Sequence, residues 1–207
     1  EFPVVNCGIG VERIAMLMHG YKDIRTLVYP QFYEEFVLTD DQLVNFITLK
    51  KTPTTAQGQD IQLAIINTCK AHGADESPVE VLAWEGELLD KRVRVSVIEP
   101  EENTKLCGPA FLNEVFVKDG TIIGAIKPKG VSTGITYIEA FAAEAAYAVE
   151  QALKMGKTEF DIRVKIVRSP NDINLSVDPV ATRYITSRNK RIDLRGPVFI
   201  TIRMQTS

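Results

Sequence analysis

The chain has 207 residues, 45% apolar and 25% charged, with 24 Lys and Arg against 27 Asp and Glu and a net charge of −3; it is long enough for one or two domains with a buried core. No apolar run approaches the roughly 20 residues that span a bilayer, and the start shows no signal-peptide pattern, so a cytoplasmic protein with no membrane contact is expected. Cys7, Cys69 and Cys107 are far apart and odd in number, and His19 and His72 are the only histidines; this excludes a disulfide framework and argues against a zinc site or a histidine triad, so no bound metal or organic cofactor is expected.

In chain order, residues 2 to 7 read as a buried strand running through Gly8 and Gly10 into a helix over 11 to 19, with Ile14, Leu17 and Met18 on one face and Gly20 as its C-cap. Thr39-Asp40-Asp41 suits the cap of a short helix through about Leu49, and Thr52 to Thr55 reads as a linker. A helix from about Gln59 to His72 ends at Gly73. After Pro78 the period changes to two: strands are expected at 79–85 and 92–98, a hairpin at 113–126 turning on Asp119-Gly120, an Ala-rich helix at 137–155, and strands at 160–167 and 198–204. The expected fold is α+β, with a first domain ending near residue 55, a connecting helix over 56–77 and a second domain over 78–207.

Charge is unevenly spread. Residues 151 to 207 hold 11 Lys and Arg against 5 Asp and Glu, a local +6 that leaves −9 for the residues before them, which suits a phosphate-contacting surface on an acidic protein as well as a plain solvated face. Arg163, Lys165 and Arg168 are expected on one strand face, with Ile162, Val164 and Ile166 turned to the core. Arg188, Lys190 and Arg191 add a basic loop. At the start, Arg13 in the first turn of a helix adds a fixed guanidinium fork to free backbone N–H groups, a combination suited to a polyphosphate. It stands where the dinucleotide fingerprint would place its third glycine, so that fingerprint is absent. Asn6 could donate to a phosphate oxygen or simply cap the turn. Phe32, Tyr33 and Trp84 suit core packing better than stacking.

Gly10-Val11-Glu12-Arg13 followed by an apolar helix resembles motif 3 of the class II aminoacyl-tRNA synthetases. Tyr21 to Arg25 and Tyr29-Pro30-Gln31 extend the resemblance towards the phenylalanyl and phosphoseryl branches; Glu99 to Pro109, Asp172 to Leu175 and Asp178 to Ala181 are similar to the archaeal O-phosphoseryl branch, so that it covers nearly the whole chain. It implies a ligase that joins O-phosphoserine to cysteine tRNA with ATP, accompanied by Mg2+, in a homotetramer. Residues 1–55 would end the antiparallel-sheet catalytic domain and 78–207 would bind the anticodon. Gly8, Gly10 and Arg13 would bind ATP, with Arg13 in the catalytic site, and Asn6 would hold the substrate phosphate. Glu99, Glu101 and Thr104 would read the GCA anticodon, because a carboxylate matches the paired N–H donors of guanine or the amino group of cytosine. The same acidic cluster also suits an ordinary solvated turn. Arg163, Lys165 and Arg168 would follow the tRNA backbone. Motifs 1 and 2 would lie before Glu1, so the 207-residue chain alone is expected to be inactive. Alternatives are a non-catalytic tRNA-binding module and a phenylalanyl-type subunit, the second disfavoured because the chain continues far beyond Arg25.

Overall fold

A computed structural model describes residues 10–20, 22–25 and 37–206. The chain divides into two compact units, Glu1–Val37 and Leu38–Ser207. The described part of the first holds helix α1 (Val11–His19), preceded by Gly10 and closed by Gly20, whose left-handed φ of 70° is the C-cap expected from sequence. The expected strand over 2–7, with Asn6, Cys7 and Gly8, lies outside the described residues, as do Phe32 and Tyr33.

The second unit opens with α2 (Asp40–Val44), held by a Thr39–Gln42 capping box. The helix stops well short of Leu49, correcting the sequence reading. Ile47–Leu49 instead forms β1, paired antiparallel with β8 (Leu175–Val177), as the β-branched pair Ile47-Thr48 favours. Asn174 secures this junction: its side chain accepts from Lys51 N–H at 2.8 Å and donates to the carbonyls of Lys51 and Ala140. A boundary near residue 55 therefore falls inside a compact unit rather than between two.

Helix α3 (Ala56–His72) begins at Thr55, whose hydroxyl accepts from Gly58 N–H. It packs on α4 (Tyr137–Lys154), whose alanines at 140, 142, 143, 145 and 146 are fully buried, and on the first strands of the main sheet. That sheet has the antiparallel order β2 (Val79–Leu88), β3 (Lys91–Glu99), β10 (Gly196–Thr206), β7 (Glu159–Val167). A second sheet, β6-β4-β5-β9, contains the expected hairpin β4 (Glu114–Lys118) and β5 (Thr121–Ala125), with β6 (Val131–Thr136) at one edge and β9 (Ile192–Asp193) pairing parallel to β5 at the other. Its turn puts Asp119 at φ 50° and Gly120 at 72°, the double positive φ of a two-residue hairpin loop. A 3₁₀ turn (Pro170–Ile173) and helix α5 (Pro179–Ser187), capped by Asp178, complete the unit. One hydrophobic cluster joins α3, α4 and the main sheet; Cys69 and Cys107 are buried thiols within it, and Trp84 packs against it. Hydrogen bonding to Cys107, together with burial, pushes the Cys69 thiol up. The described fold is thus mixed α+β with predominantly antiparallel sheets. Among the described residues no helix is long and apolar enough to cross a membrane.

Candidate nucleotide and nucleic-acid sites

In the first unit Arg13 is exposed in the opening turn of α1, where Gly10 supplies no side-chain cap and its carbonyl accepts from Arg13 N–H at 3.1 Å. Arg13 lines a cavity of about 620 Å³ with Met16, Leu17, Lys22, Asp23 and Ile24. Asp23 and Arg25 form a fork of hydrogen bonds 2.7 to 3.1 Å long, and the Arg25 fork holds the Asp23 carboxyl below its ordinary range. An uncapped helix start with a guanidinium in its first turn can receive an anion. Asn6 and Gly8 lie outside the described residues.

The acidic and basic candidates of the second unit, assigned from sequence to separate tasks, form one cluster. Glu99 ends β3, and Arg163 lies on β7, two strands away across β10. Arg163 Nη2 donates to Glu99 Oε1 at 3.1 Å and Oε2 at 3.0 Å, and stands 3.1 Å from Glu101 Oε1; Lys165 Nζ donates to the same Glu101 oxygen at 2.8 Å. Glu99 also accepts from the Glu101 N–H at 3.0 Å, which fixes the start of the loop. Glu99 is 1% exposed, whereas the Glu101 side chain keeps 49%. The hydrogen bond from Lys165, then the Arg163 and Lys165 charges, hold the Glu101 carboxyl below its ordinary range. Both cations contact Glu101 Oε1; Oε2 has no donor among the described residues. A cleft of about 310 Å³ lined by Pro78, Glu80, Ile98, Glu99 and Pro100 opens beside the pair. Thr104 is exposed, and its hydroxyl and N–H both meet the Ser77 hydroxyl, at 2.9 and 3.0 Å. This ties the loop to the start of β2.

Two expectations are corrected here. Arg163 and Lys165 do not make a free basic stripe, because their charge is spent on Glu99 and Glu101. Nor does the strand keep one alternation: Ile166 is 46% exposed, Val167 is buried and Arg168 falls past the strand end. The β7–β10 register slips between Pro197 and Ile200, and a bulge of this kind changes which residues face the core. Arg163 Nε and Thr201 Oγ1, from residues directly opposite each other, are buried without a partner. Sequence reasoning missed Ser77 as the anchor of Thr104 and the Glu99–Arg163 pairing; the latter joins the end of β3 to the middle of β7, and no local pattern marks it.

The family model for the class II core domain of tRNA synthetases, in its F-type form, matches residues 1–36. The O-phosphoserine–tRNA(Cys) ligase of Methanococcoides burtonii is 47% identical over 98% of this chain and 40% of its own length. Those of Methanothrix thermoacetophila and Archaeoglobus fulgidus are 47% and 44% identical, each over 99% of this chain and 39% and 40% of their lengths. This chain, which spans about 40% of the length of these relatives, is homologous over nearly all its residues to the archaeal O-phosphoserine–tRNA(Cys) ligases of the class II aminoacyl-tRNA synthetases.

Proposed function

We propose that the protein bearing this chain attaches O-phosphoserine to cysteine tRNA with ATP, and that the chain supplies a nucleotide-contacting arginine and an anticodon-reading surface. The observation that carries this reading is similarity along nearly all of this chain, at 44–47% identity, to about 40% of the length of ligases of that name. Arg13 would hold the triphosphate while the substrate carboxylate attacks the α-phosphate, a step that depends on positioning and charge stabilisation. Asn6 would hold the phosphate of the amino acid. Among the described residues no group of His, Cys, Asp and Glu is arranged to hold a metal ion; magnesium would arrive on the ATP phosphates. A homotetramer in the cytoplasm completes the reading.

At the anticodon surface the two glutamates would do different work. Glu101 is exposed and its Oε2 has no donor among the described residues, so it can accept from a base edge. Glu99 is a positioning residue: it fixes Arg163 and, through the Glu101 N–H, the loop itself. Thr104 presents its oxygen from an anchored turn. The test is ATP-dependent charging of cysteine tRNA by the full-length protein, with O-phosphoserine, cysteine and phenylalanine offered separately. Charging with O-phosphoserine alone supports the reading; preference for either other amino acid overturns it. A non-catalytic tRNA-binding module would bind the anticodon hairpin and charge nothing.

A further inference from the structure

The 38–207 unit carries a cavity of about 630 Å³ that neither Glu99 nor Glu101 lines but that Thr104 borders. This volume is in the range of small-ligand sites. Its apolar wall is built from Phe111, Phe199, Pro109 and Leu112; Lys70 and Lys105 stand at its edge, and among the described residues no carboxylate lines it. Both rings are half-buried, and Leu112 is 37% exposed.

The backbone is shaped around these rings. Phe199 has a φ of 45°, a left-handed conformation that a bulky residue rarely adopts and that its surroundings must hold in place. It sits in the stretch of β10 where the register against β7 slips, so the bulge presents an aromatic ring to the cavity. Its ring lies over Gly108, where an added Cβ would come within 2.7 Å of both the ring and the Pro197 carbonyl oxygen. Phe111 lies likewise over Gly73, where a Cβ would stand 2.9 Å from the ring. The charges at the edge are available: Lys105 is exposed, and the ion pair of Lys70 with Glu139, its one such pair among the described residues, is 3.7 Å long with Lys70 about half-exposed. Aromatic faces beside cations, without an acid, suit a base and its phosphate better than an apolar peptide, which has no use for the lysines.

We propose that this cavity receives one unstacked base of the bound tRNA, stacked against Phe111 and Phe199, with a neighbouring phosphate held by Lys70 and Lys105. The proposal rests on the tRNA reading above and gives the anticodon surface a second subsite, selective for a splayed base by its face rather than its edge. The shared Thr104 makes the occupant a neighbour of the base that Glu101 contacts.

The test uses the full-length protein and an RNA hairpin bearing the cysteine tRNA anticodon loop, with 5-iodouridine placed at each loop position in turn. Irradiation and mass spectrometry should find one position that crosslinks to the peptide carrying Phe111 or Phe199. Phe111→Leu, and Leu112→Glu at the half-open mouth, should each weaken hairpin binding by about 5- to 100-fold whichever base occupies the cavity, the span expected for loss of one base–aromatic stack. Leu112→Glu alters an exposed position and tests the site even if Phe111→Leu impairs folding. Lys105→Ala should lower the salt slope of binding by about one. If the wild-type protein binds the hairpin while crosslinks fall only on other peptides and Leu112→Glu binds normally, the cavity is not a base site and the anticodon reading stands. If the wild-type protein binds no hairpin, both fall.

Discussion

Glu99 holds both carboxylate oxygens against Nη2 of Arg163, at 3.1 and 3.0 Å, with only 1% of its surface exposed. A buried charge whose partner is removed costs more than the pair contributes, because the remaining ion keeps its desolvation penalty. Arg163→Ala should therefore destabilise the 38–207 unit by about 2 to 3 kcal/mol, at or below the lower end for buried pairs since Arg163 retains some solvent contact. The double change Glu99→Leu with Arg163→Met should recover most of that stability and still lose tRNA binding. Urea unfolding beside hairpin titration separates the two effects; equal losses in the single and double variants would remove the pairing from the account.

Glu101 and Lys165 give a different signature. Lys165 Nζ lies 2.8 Å from Glu101 Oε1, so it positions the proposed reader instead of tracking phosphate. Glu101→Gln should cost about 5- to 100-fold against the preferred base, much less with a matched anticodon change. Lys165→Met should produce the same base-selective loss and leave the salt slope unchanged. A uniform loss over all tRNAs, with the slope reduced by about one, would return Lys165 to a backbone contact.

Most elements of the second unit were legible because their determinants are local. Asp119-Gly120 forces its hairpin, the alanines of α4 declare a closely packed helix, and alternation marks β3 and β10. What stayed hidden depends on distant partners. Ile47–Leu49 becomes a strand only because Leu175–Val177 lies beside it, and β9 is two residues long and exists through β5. Asp178 before Pro179 is a locally readable helix start for α5. At the site, residue types were legible but their grouping was not, because Glu99 and Arg163 are 64 positions apart. The left-handed Phe199 has no sequence sign at all, since it arises where two strands lose register.

Arg13 and Asn6 should part company in kinetics. If the full-length protein is the proposed ligase, Arg13→Ala should lose about 2 to 4 kcal/mol of transition-state stabilisation, the scale for a preorganised charge donor. Asn6→Leu should raise the KM for O-phosphoserine far more than that for ATP, since its amide is assigned to the substrate phosphate. Pyrophosphate exchange with each substrate varied in turn reads both. Equal losses for the two substrates in Asn6→Leu would indicate a collapsed turn.

Glu150 offers a test through pH. Its buried carboxylate accepts the N–H and hydroxyl of both Thr54 and Thr55, at 2.6 to 3.0 Å, at the start of α3. Burial pushes the group up, but these donors outweigh it and the net displacement is downward. Gly58 stands over the carboxylate, where any Cβ would overlap it. A carboxyl depressed in the folded state contributes stability that is fully present above its unfolded value, about 4.3, and is lost as the pH falls through the folded value. Glu150→Gln sets an amide N–H2 against donors and should cost about 2 to 3 kcal/mol at pH 7, the range for hydrogen bonds to a charged group. The gap to wild type should hold down to about pH 5 and narrow as the pH falls below the unfolded value, because the unfolded chain takes up its proton first and the folded carboxyl only below its lowered value. Urea midpoints of both proteins at pH 7, 5 and 3.5 measure it, and a gap that stays constant across this range would show that the Glu150 clasp acts by shape and not by charge.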